Sequence, residues 1–278
     1  TYNEGVHFRN FRHPNLVIKK VLRSSISDLI SKGVFPKYYF LSGSGNKKNF
    51  SKKNLKLISK SLKQEQNKYN IKLAGGDTTN SNKISFSITS IGFSSKIVKR
   101  NNAKINDDIY VTGNIGDSFL GQKLISNKII LNSNLKKYFI NKYYCPDIPY
   151  KFISCVKNFA NTSIDVSDGL IGDLNKLINK QKLSYQIYLD LIPISQKLKK
   201  YLKTFNLNKE KYLFNGDDYQ ILFTANKKFR KSIKKNSLKM NQKIAIIGKI
   251  NNNSKSNSII SGNNRKISNK YQGYLHKF

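Results

Sequence analysis

The sequence predicts a mixed α and β fold divided into two domains. The chain has 278 residues, a length that suits two domains of ordinary size better than one compact core. Segments with helical periodicity and segments with strand alternation interleave along the whole chain. A polar stretch, residues 99–107, marks the expected boundary. The first domain is therefore expected over residues 1–100 and the second over residues 101–278.

The first domain is expected to hold two amphipathic helices among short strands. Apolar residues recur at helical spacing from Leu16 to Ile30, and Gly33 follows as a stop signal. A second helix begins at the Ser51 cap. The opening residues are typical of a strand end that runs into a loop. Further strands are predicted over residues 37–41, 71–74 and 84–88, with a bulge near Ile91.

The second domain is expected to alternate strands with helices and to end in a polar loop. Strands are predicted over residues 109–112, 162–166, 185–189, 219–224 and 243–250. Helices are predicted after Gly116 and over residues 149–159, 169–180 and 227–236. Residues 251–264 are rich in Asn and Ser, which favours a loop.

The charge of the chain is strongly positive. There are 51 basic and 15 acidic side chains, for a formal net charge of +36, and such an excess favours binding to polyanions. The lysines are spread over every segment instead of forming one patch. We therefore expect no specific nucleic-acid partner, although a basic nucleic-acid-binding protein stays open as an alternative from a different class.

The sequence pattern also bears on location and on metal chemistry. No apolar run approaches the roughly 20 residues that a membrane-spanning helix needs, and no signal-peptide pattern opens the chain. No membrane is therefore expected as a partner, and the cytoplasm is the expected compartment. The 2 cysteines and 3 histidines fit no zinc-site spacing. A metal in this protein would be bound by carboxylates.

Aspartates in short polar motifs carry the functional signal. Of the 15 acidic residues, seven stand in motifs beside Gly, Ser or Thr. These seven are Asp28, Asp77, Asp117, Asp165, Asp168, Asp217 and Asp218. Several separate Asp motifs without histidine ligands indicate Mg²⁺ together with a polyphosphate, because Mg²⁺ prefers carboxylate, water and phosphate oxygens.

Two of these motifs predict a cation and phosphate site most strongly. GGDTT follows a buried strand, where its glycines let the backbone approach a ligand and Asp77 offers a carboxylate. DVSDGL spans a strand end and a helix start. In that position Ser167 and the first amides of the helix can meet an anion, while Asp165 and Asp168 hold cations.

The other aspartates also have structural interpretations. Asp28 can be a solvated or backbone-bonded residue of a helix, Asp117 a helix cap, and Asp217 with Asp218 a turn before a strand. A P-loop is not present, since Gln122 stands where that motif needs lysine directly after glycine. Any ATP is therefore expected to bind in another way.

Eight motifs, taken in chain order, resemble the bacterial thiamine-monophosphate kinase family. They are GVHF, ISDLISKG, GGDTT, VKR, DIYVTGNIGDS, SIDVSDGLIGDL, NGDDYQILFT and GYLHKF. This family shares an ATP-binding superfamily with aminoimidazole ribonucleotide synthetase and selenophosphate synthetase. The resemblance implies the two-domain fold of that superfamily: an N-terminal α+β domain that dimerises with a second subunit, and a C-terminal α/β domain that closes over it.

The resemblance also implies a reaction and its site residues. The reaction is ATP-dependent, in-line phosphorylation of thiamine monophosphate to thiamine diphosphate by a homodimer with several Mg²⁺ ions. The positions that match metal ligands are Asp28, Asp77, Asp165 and Asp168. The positions that match ATP contacts are Gly76, Asp77, Arg100 and Ser167. The positions that match substrate contacts are His7, Asp217 and Tyr274.

The sequence departs from the family pattern in three respects. Asp217 stands where the family usually has Glu, and Tyr274 where it often has Trp, so both change the expected thiamine pocket. In the family a GDDxA motif and a TD pair precede GVHF, whereas only six residues precede His7 here. We therefore expect an N-terminally truncated chain that is inactive as given. Another ATP-dependent enzyme of the superfamily is the alternative within the enzyme class.

Overall fold

The computed structural model describes residues 1–126, 129, 131–252, 256–262 and 265–267. In this part of the chain the strands form a four-stranded and a seven-stranded sheet. The first sheet ends at Phe93 and the second begins at Asp108, with the polar stretch 99–107 between them. No helix in these ranges has both the length and the apolar character needed to cross a bilayer.

The first sheet carries two helices on one face. Its elements are β1 (Tyr2–Asn3), α1 (Pro14–Ser31), β2 (Phe35–Gly45), α2 (Lys52–Tyr69), β3 (Lys72–Asn80) and β4 (Ser85–Phe93). The strand order is β1-β4-β2-β3, and only β2 and β3 are parallel. The bulge expected near Ile91 is present, but the extra residue is Lys37 of β2.

The second sheet contains seven strands. Its first elements are β5 (Asp108–Thr112), α3 (Asp117–Ile125), α4 (Ser133–Tyr144), α5 (Ile153–Phe159), β6 (Thr162–Asp165), α6 (Leu170–Ile178) and β7 (Leu183–Tyr188). They are followed by α7 (Gln196–Thr204), α8 (Glu210–Leu213), β8 (Ile221–Ala225), α9 (Arg230–Lys239), β9 (Ile244–Asn252), β10 (Ser258–Ile260) and β11 (Lys266–Ile267). The strand order is β11-β10-β7-β9-β5-β8-β6, and among these described strands only β7 and β10 are parallel neighbours.

Helix α1 lies between the two sheets. It contacts β4 of the first sheet and both β6 and β8 of the second. Its buried side chains, such as Val21 and Ile26, belong to one apolar core with Tyr39 of β2 and Phe223 of β8. Because α1 is covered on both sides, several of its polar residues are buried as well. This helix therefore brings polar groups of the first half to the second sheet.

Several expectations about the elements are wrong. β3 continues to Asn80, so GGDTT lies inside a strand and not in a loop, because parallel pairing with β2 extends over the whole motif. The sequence interpretation also missed α4 and α7, although the buried residues of α7, Leu198, Tyr201 and Leu202, have helical spacing. Residues 251–264 were expected to form a loop, yet they include the end of β9 and all of β10.

Candidate active site

Two aspartate-containing turns pack directly against each other at the end of β6. The turn after β6 carries Ser167 and Asp168, and the segment before β8 carries Asp217. The amide of Asp217 donates to the carbonyl of Ser167 at 2.9 Å. Gly216 permits this approach, since a Cβ at that position would lie 1.8 Å from the Ser167 carbonyl oxygen. The motifs DVSDGL and NGDDY therefore form one surface.

The buried carboxylate of Asp173 holds the turn after β6. One of its oxygens accepts hydrogen bonds from the amides of Ser167, Asp168 and Gly169 at 2.9, 2.8 and 3.2 Å. Burial raises the pKa of Asp173 to about 6, against the opposing charge of Lys176. These amides were expected to meet an anionic ligand, but an internal carboxylate already occupies them. Any ligand contact of Ser167 is therefore made by its side chain.

Asp28 and Asp165 form a close acidic pair between α1 and β6. The hydroxyl of Ser27 donates to Oδ2 of Asp165 at 2.9 Å. Burial, and then the negative charge of Asp28, raises the pKa of Asp165 to about 7. Burial also raises the pKa of Asp28, although the charge of Lys32 opposes this shift. Two carboxylates held so closely form a site that a cation would stabilise.

Basic side chains of the chain itself approach these acids. Nζ of Lys32 donates to a main-chain carbonyl of β6. Burial lowers the pKa of Lys32 to about 8, the charge of Asp165 opposes that shift, and the charge of Arg100 adds to it. Arg100 therefore lies close enough to Lys32 for the two positive charges to interact. Lys176 forms an ion pair with Asp168.

A cavity of about 150 Å³ opens beside the two turns. Its lining includes His7, Ser167, Asp168 and Asp217. The predicted substrate contacts His7 and Asp217 therefore share one cavity with Ser167, a predicted ATP contact, and Asp168, a predicted metal ligand. Tyr274, the third predicted substrate contact, lies outside the described residues.

The GGDTT motif lies on β3 of the first sheet, and neither Gly76 nor Asp77 lines the cavity. Asp77 is exposed, and its carboxylate accepts the amide of Thr78 at 2.7 Å. Among the described residues, no three His, Cys, Asp or Glu side chains form a cluster that could hold a metal ion. The four-carboxylate metal site therefore stays a prediction, with Asp28 and Asp165 as the pair that the fold brings together.

Gly76→Ala is expected to disrupt the pairing of β2 with β3 and to weaken ATP binding. A Cβ at Gly76 would lie 1.9 Å from the carbonyl oxygen of Leu41, a backbone atom that cannot move aside. At the adjacent Gly75 the closest atoms belong to the ring of Phe40 at 3.4 Å. Gly75→Ala is therefore the matched control. Fluorescence titration with a labelled ATP analogue measures the affinity of Gly76→Ala and of Gly75→Ala for the nucleotide. Equal affinity of the two variants would contradict this prediction.

Asp117 and Asp218 have structural roles at the start of α3. Asp218 accepts the amides of Gly116 at 2.8 Å and Ser118 at 3.4 Å. Burial raises the pKa of Asp218 well above its usual range. Asp117 accepts the hydroxyl of Ser195 at 2.6 Å. The N-cap residue of α3 is Gly116, and the carboxylate that accepts amides at the helix start is that of Asp218, and not that of Asp117 as the structural interpretation of the sequence had it.

Sequence reasoning missed two residues, Asp173 and Lys20, that contact the predicted site residues from the protein interior. Asp173 was passed over because it stands inside a helix, yet an acid in the first helical turn is well placed to accept amides. Lys20 lies on the apolar stripe of α1, three residues after Val17 and four before Ser24. A lysine at that spacing is a signal of a buried charge, which needs a partner.

Known proteins are similar to this chain over most of its length. The family model described as AIR synthase related protein, N-terminal domain, matches residues 1–94. The thiamine-monophosphate kinase of Buchnera aphidicola subsp. Schizaphis graminum (strain Sg) is 35% identical over 286 residues, which cover 99% of this chain and 85% of that protein. The thiamine-monophosphate kinase of Aquifex aeolicus (strain VF5) is 30% identical over 223 residues, which cover 80% of this chain and 72% of that protein.

Solved structures share the fold. The structure of AaThiL complexed with AMPPCP and TMP has a TM-score of 0.85 at 26% identity and covers 99% of this chain and 85% of that one. The crystal structure of thiamine monophosphate kinase from Aquifex aeolicus has a TM-score of 0.83 at 26% identity, with 95% and 86% covered. Both share the two-domain fold of the aminoimidazole ribonucleotide synthetase-like superfamily. From the extent and identity of these matches, the chain belongs to the thiamine-monophosphate kinase family.

Proposed function

We propose that this chain phosphorylates thiamine monophosphate with ATP and releases thiamine diphosphate and ADP. The observation that carries the proposal is that four of the residues matched to the family line one cavity, His7 and Asp217 beside Ser167 and Asp168. Membership of the family supplies the substrate class. Asp165 of the acidic pair stands two residues before Ser167, which lines this cavity.

The reaction requires positioning more than acid or base catalysis. A phosphate oxygen of thiamine monophosphate attacks the γ-phosphorus of ATP, and the bond from that phosphorus to the bridging oxygen of ADP breaks in line. The attacking oxygen is already an anion, so no residue has to remove a proton. The main obstacle is the repulsion between two anionic substrates, which the site must hold at reacting distance.

In our proposal, different residues bind the two substrates. His7 and Asp217 orient thiamine monophosphate from the cavity wall. Gly76 lets the nucleotide approach the β3 backbone, and the side chain of Ser167 adds a hydroxyl contact. Arg100 provides a positive charge that does not depend on pH, which suits the ATP phosphates.

The acidic pair fits Mg²⁺. This ion is usually bound through one or two protein carboxylates, while water and substrate phosphates complete its shell. Asp28 and Asp165 provide two such groups, and their mutual repulsion favours a cation between them. We propose that Asp77 and Asp168 join them when nucleotide is present. Bound Mg²⁺ would neutralise phosphate charge and help to orient the two substrates.

One assay separates this function from the alternatives. ADP formation should require thiamine monophosphate, and selenide or formylglycinamidine ribonucleotide should not replace it as the acceptor. ATP consumption driven equally well by one of those acceptors would favour another enzyme of the superfamily. Tight, salt-dependent RNA or DNA binding without any ADP formation would favour the nucleic-acid alternative.

We also propose a homodimer formed through the first sheet. Strand alternation turns Tyr39 and Phe86 towards the helices, while the exposed side chains of the same strands are unusually apolar. They are Phe35, Tyr38, Phe40, Ile91 and Phe93. Exposed apolar groups of this kind on one sheet commonly mark an interface, and a second copy of the chain offers the same surface.

The double variant Phe40→Glu/Phe93→Glu is expected to convert this dimer into a monomer. Phe40 is 43% and Phe93 69% exposed, so the substitutions add charge to the interface without disturbing the core. Leu238→Glu, at a position on α9 that is 72% exposed, is the matched control and should stay dimeric. Sedimentation velocity at micromolar concentration measures the change. A monomeric wild-type chain would contradict the proposal.

We place this activity in the cytoplasm and expect no specific nucleic-acid partner. Cys145 and Cys155 are both buried free thiols, a state that a reducing compartment maintains.

A further inference from the structure

Lys20 of α1 is a buried cation at the back of the cavity. Its side chain is 3% exposed, and Nζ lies 3.0 Å from Oδ1 of Asp217. The contact is an ion pair by distance and not an aligned hydrogen bond. A buried ammonium group is costly unless an opposite charge compensates it. Asp217 therefore supplies an opposite charge that offsets part of the cost of burying Lys20.

The same carboxylate oxygen has a second partner. The hydroxyl of Tyr219 donates to Oδ1 of Asp217 at 3.0 Å. The backbone of Asp217 has a φ of 70°, a left-handed conformation that Asp tolerates better than most side chains. Both fixed contacts fall on Oδ1, so the carboxylate is oriented with Oδ2 as the oxygen that can meet a ligand in the cavity.

Tyr143 of α4 connects this ion pair to His7. Nζ of Lys20 lies 3.3 Å from the centre of the Tyr143 ring, a cation–π contact in a desolvated position. The hydroxyl of Tyr143 donates to the main-chain carbonyl of His7 at 2.9 Å. One aromatic side chain therefore contacts the group that fixes Asp217 and also holds the backbone of His7.

We propose that Lys20 and Tyr143 form a buried positioning pair that sets the distance between the two substrate-side residues, His7 and Asp217. This inference rests on the proposed function, in which those two residues hold thiamine monophosphate. Neither member of the pair touches substrate. Each acts through a residue that lines the cavity, and together they join α1, α4 and the two loops that carry those residues.

If Lys20 and Tyr143 have this role, removing Lys20 should weaken the binding of thiamine monophosphate and not that of ATP. Without Lys20, Asp217 loses a fixed partner and the ring of Tyr143 loses the cation on its face. Thiamine monophosphate is then bound by a carboxylate whose orientation is no longer fixed. The proposed ATP contact Ser167 bonds to the main chain of Asp217, whereas Lys20 contacts the Asp217 side chain, and the proposed ATP contacts Gly76 and Arg100 lie in other segments of the chain. A merely structural role would affect both substrates alike.

The test is Lys20→Met, which keeps most of the side-chain volume and removes the charge. We expect the KM for thiamine monophosphate to rise roughly tenfold and the KM for ATP to stay within about twofold. Calorimetric titration with thiamine monophosphate in the absence of ATP should show the same loss. In an Asp217→Asn background, Lys20→Met should add less than about twofold, because Lys20 acts through that carboxylate.

Two further variants keep the result interpretable. Arg23→Met, on the same helix, breaks a buried ion pair with Glu65 at 2.7 Å and should lower stability without changing the KM for thiamine monophosphate. Tyr143→Phe keeps the ring, removes only the bond to His7, and should raise that KM about threefold. Tyr143→Phe also tests the positioning role if Lys20→Met does not fold.

The inference is overturned if Lys20→Met leaves the KM for thiamine monophosphate unchanged. If Lys20→Met does not fold, an unchanged KM for thiamine monophosphate in Tyr143→Phe overturns it. It is also overturned if both KM values rise by the same factor, or if the effects of Lys20→Met and Asp217→Asn are additive. If the wild-type chain transfers no phosphoryl group, the proposed function fails. Calorimetry with thiamine monophosphate still decides the role of Lys20 in that case.

Discussion

Asp165→Asn is expected to reduce turnover by about a thousandfold and to leave the protein folded. The substitution removes one of two negative charges that face each other at the end of β6, and with it the cation that we propose at this position. The amide keeps the size of the side chain and can still accept the hydroxyl of Ser27. Because a repulsion between like charges disappears, the midpoint of thermal unfolding should stay equal or rise.

ADP release with thiamine monophosphate and a circular dichroism melt measure the two effects on one preparation. Asp190→Asn is the matched control, because it removes a carboxylate that pairs with Lys209 at 2.6 Å and has no part in the proposed site. It should turn over at the wild-type rate. Near-normal turnover of Asp165→Asn would show that the acidic pair does not hold the metal.

Asp173→Ala is expected to lower both stability and catalytic efficiency. Three main-chain amides and Lys176 lose a buried acceptor, so we expect the free energy of unfolding to fall by about 3 kcal/mol. The turn that carries Ser167 and Asp168 is then held less firmly. A displacement of about 1 Å in such a site is enough to lower kcat/KM roughly a hundredfold.

Urea unfolding measures the loss of stability. Steady-state kinetics, at a temperature where the variant is folded, measure the loss of kcat/KM separately. Asp173→Asn keeps one oxygen as acceptor for the amides and should lose less than the alanine variant in both measurements. An alanine variant with the wild-type kcat/KM would mean that the turn keeps its geometry without this carboxylate.

Local patterns in the sequence were enough to predict the element that matters most. The apolar stripe from Leu16 to Ile30 and the stop at Gly33 predict α1 within two residues of its bounds, Pro14–Ser31. The DVSDGL motif likewise predicts a strand end followed by a helix, as β6 and α6 confirm. Both predictions depend on interactions between residues that are close in the chain.

Long-range pairing explains what the sequence could not show. GGDTT reads as a loop, but parallel pairing with β2 keeps it in β3 through Asn80. The turn amides at 167–169 appear open to a ligand until Asp173 is seen to occupy them. Lys20 and Asp217 are far apart in sequence, and only the packing of α1 against the second sheet brings their charges together. The positioning residues were missed for that reason.

The most direct measurement follows the transferred group itself. ATP labelled at the γ-phosphorus is incubated with thiamine monophosphate and Mg²⁺, and the products of the wild-type chain and of Asp165→Asn are separated by chromatography. We expect wild-type protein to form labelled thiamine diphosphate in a one-to-one ratio with ADP, and Asp165→Asn to form almost none. Release of labelled inorganic phosphate without labelled thiamine diphosphate, or equal labelling by both proteins, would contradict the account.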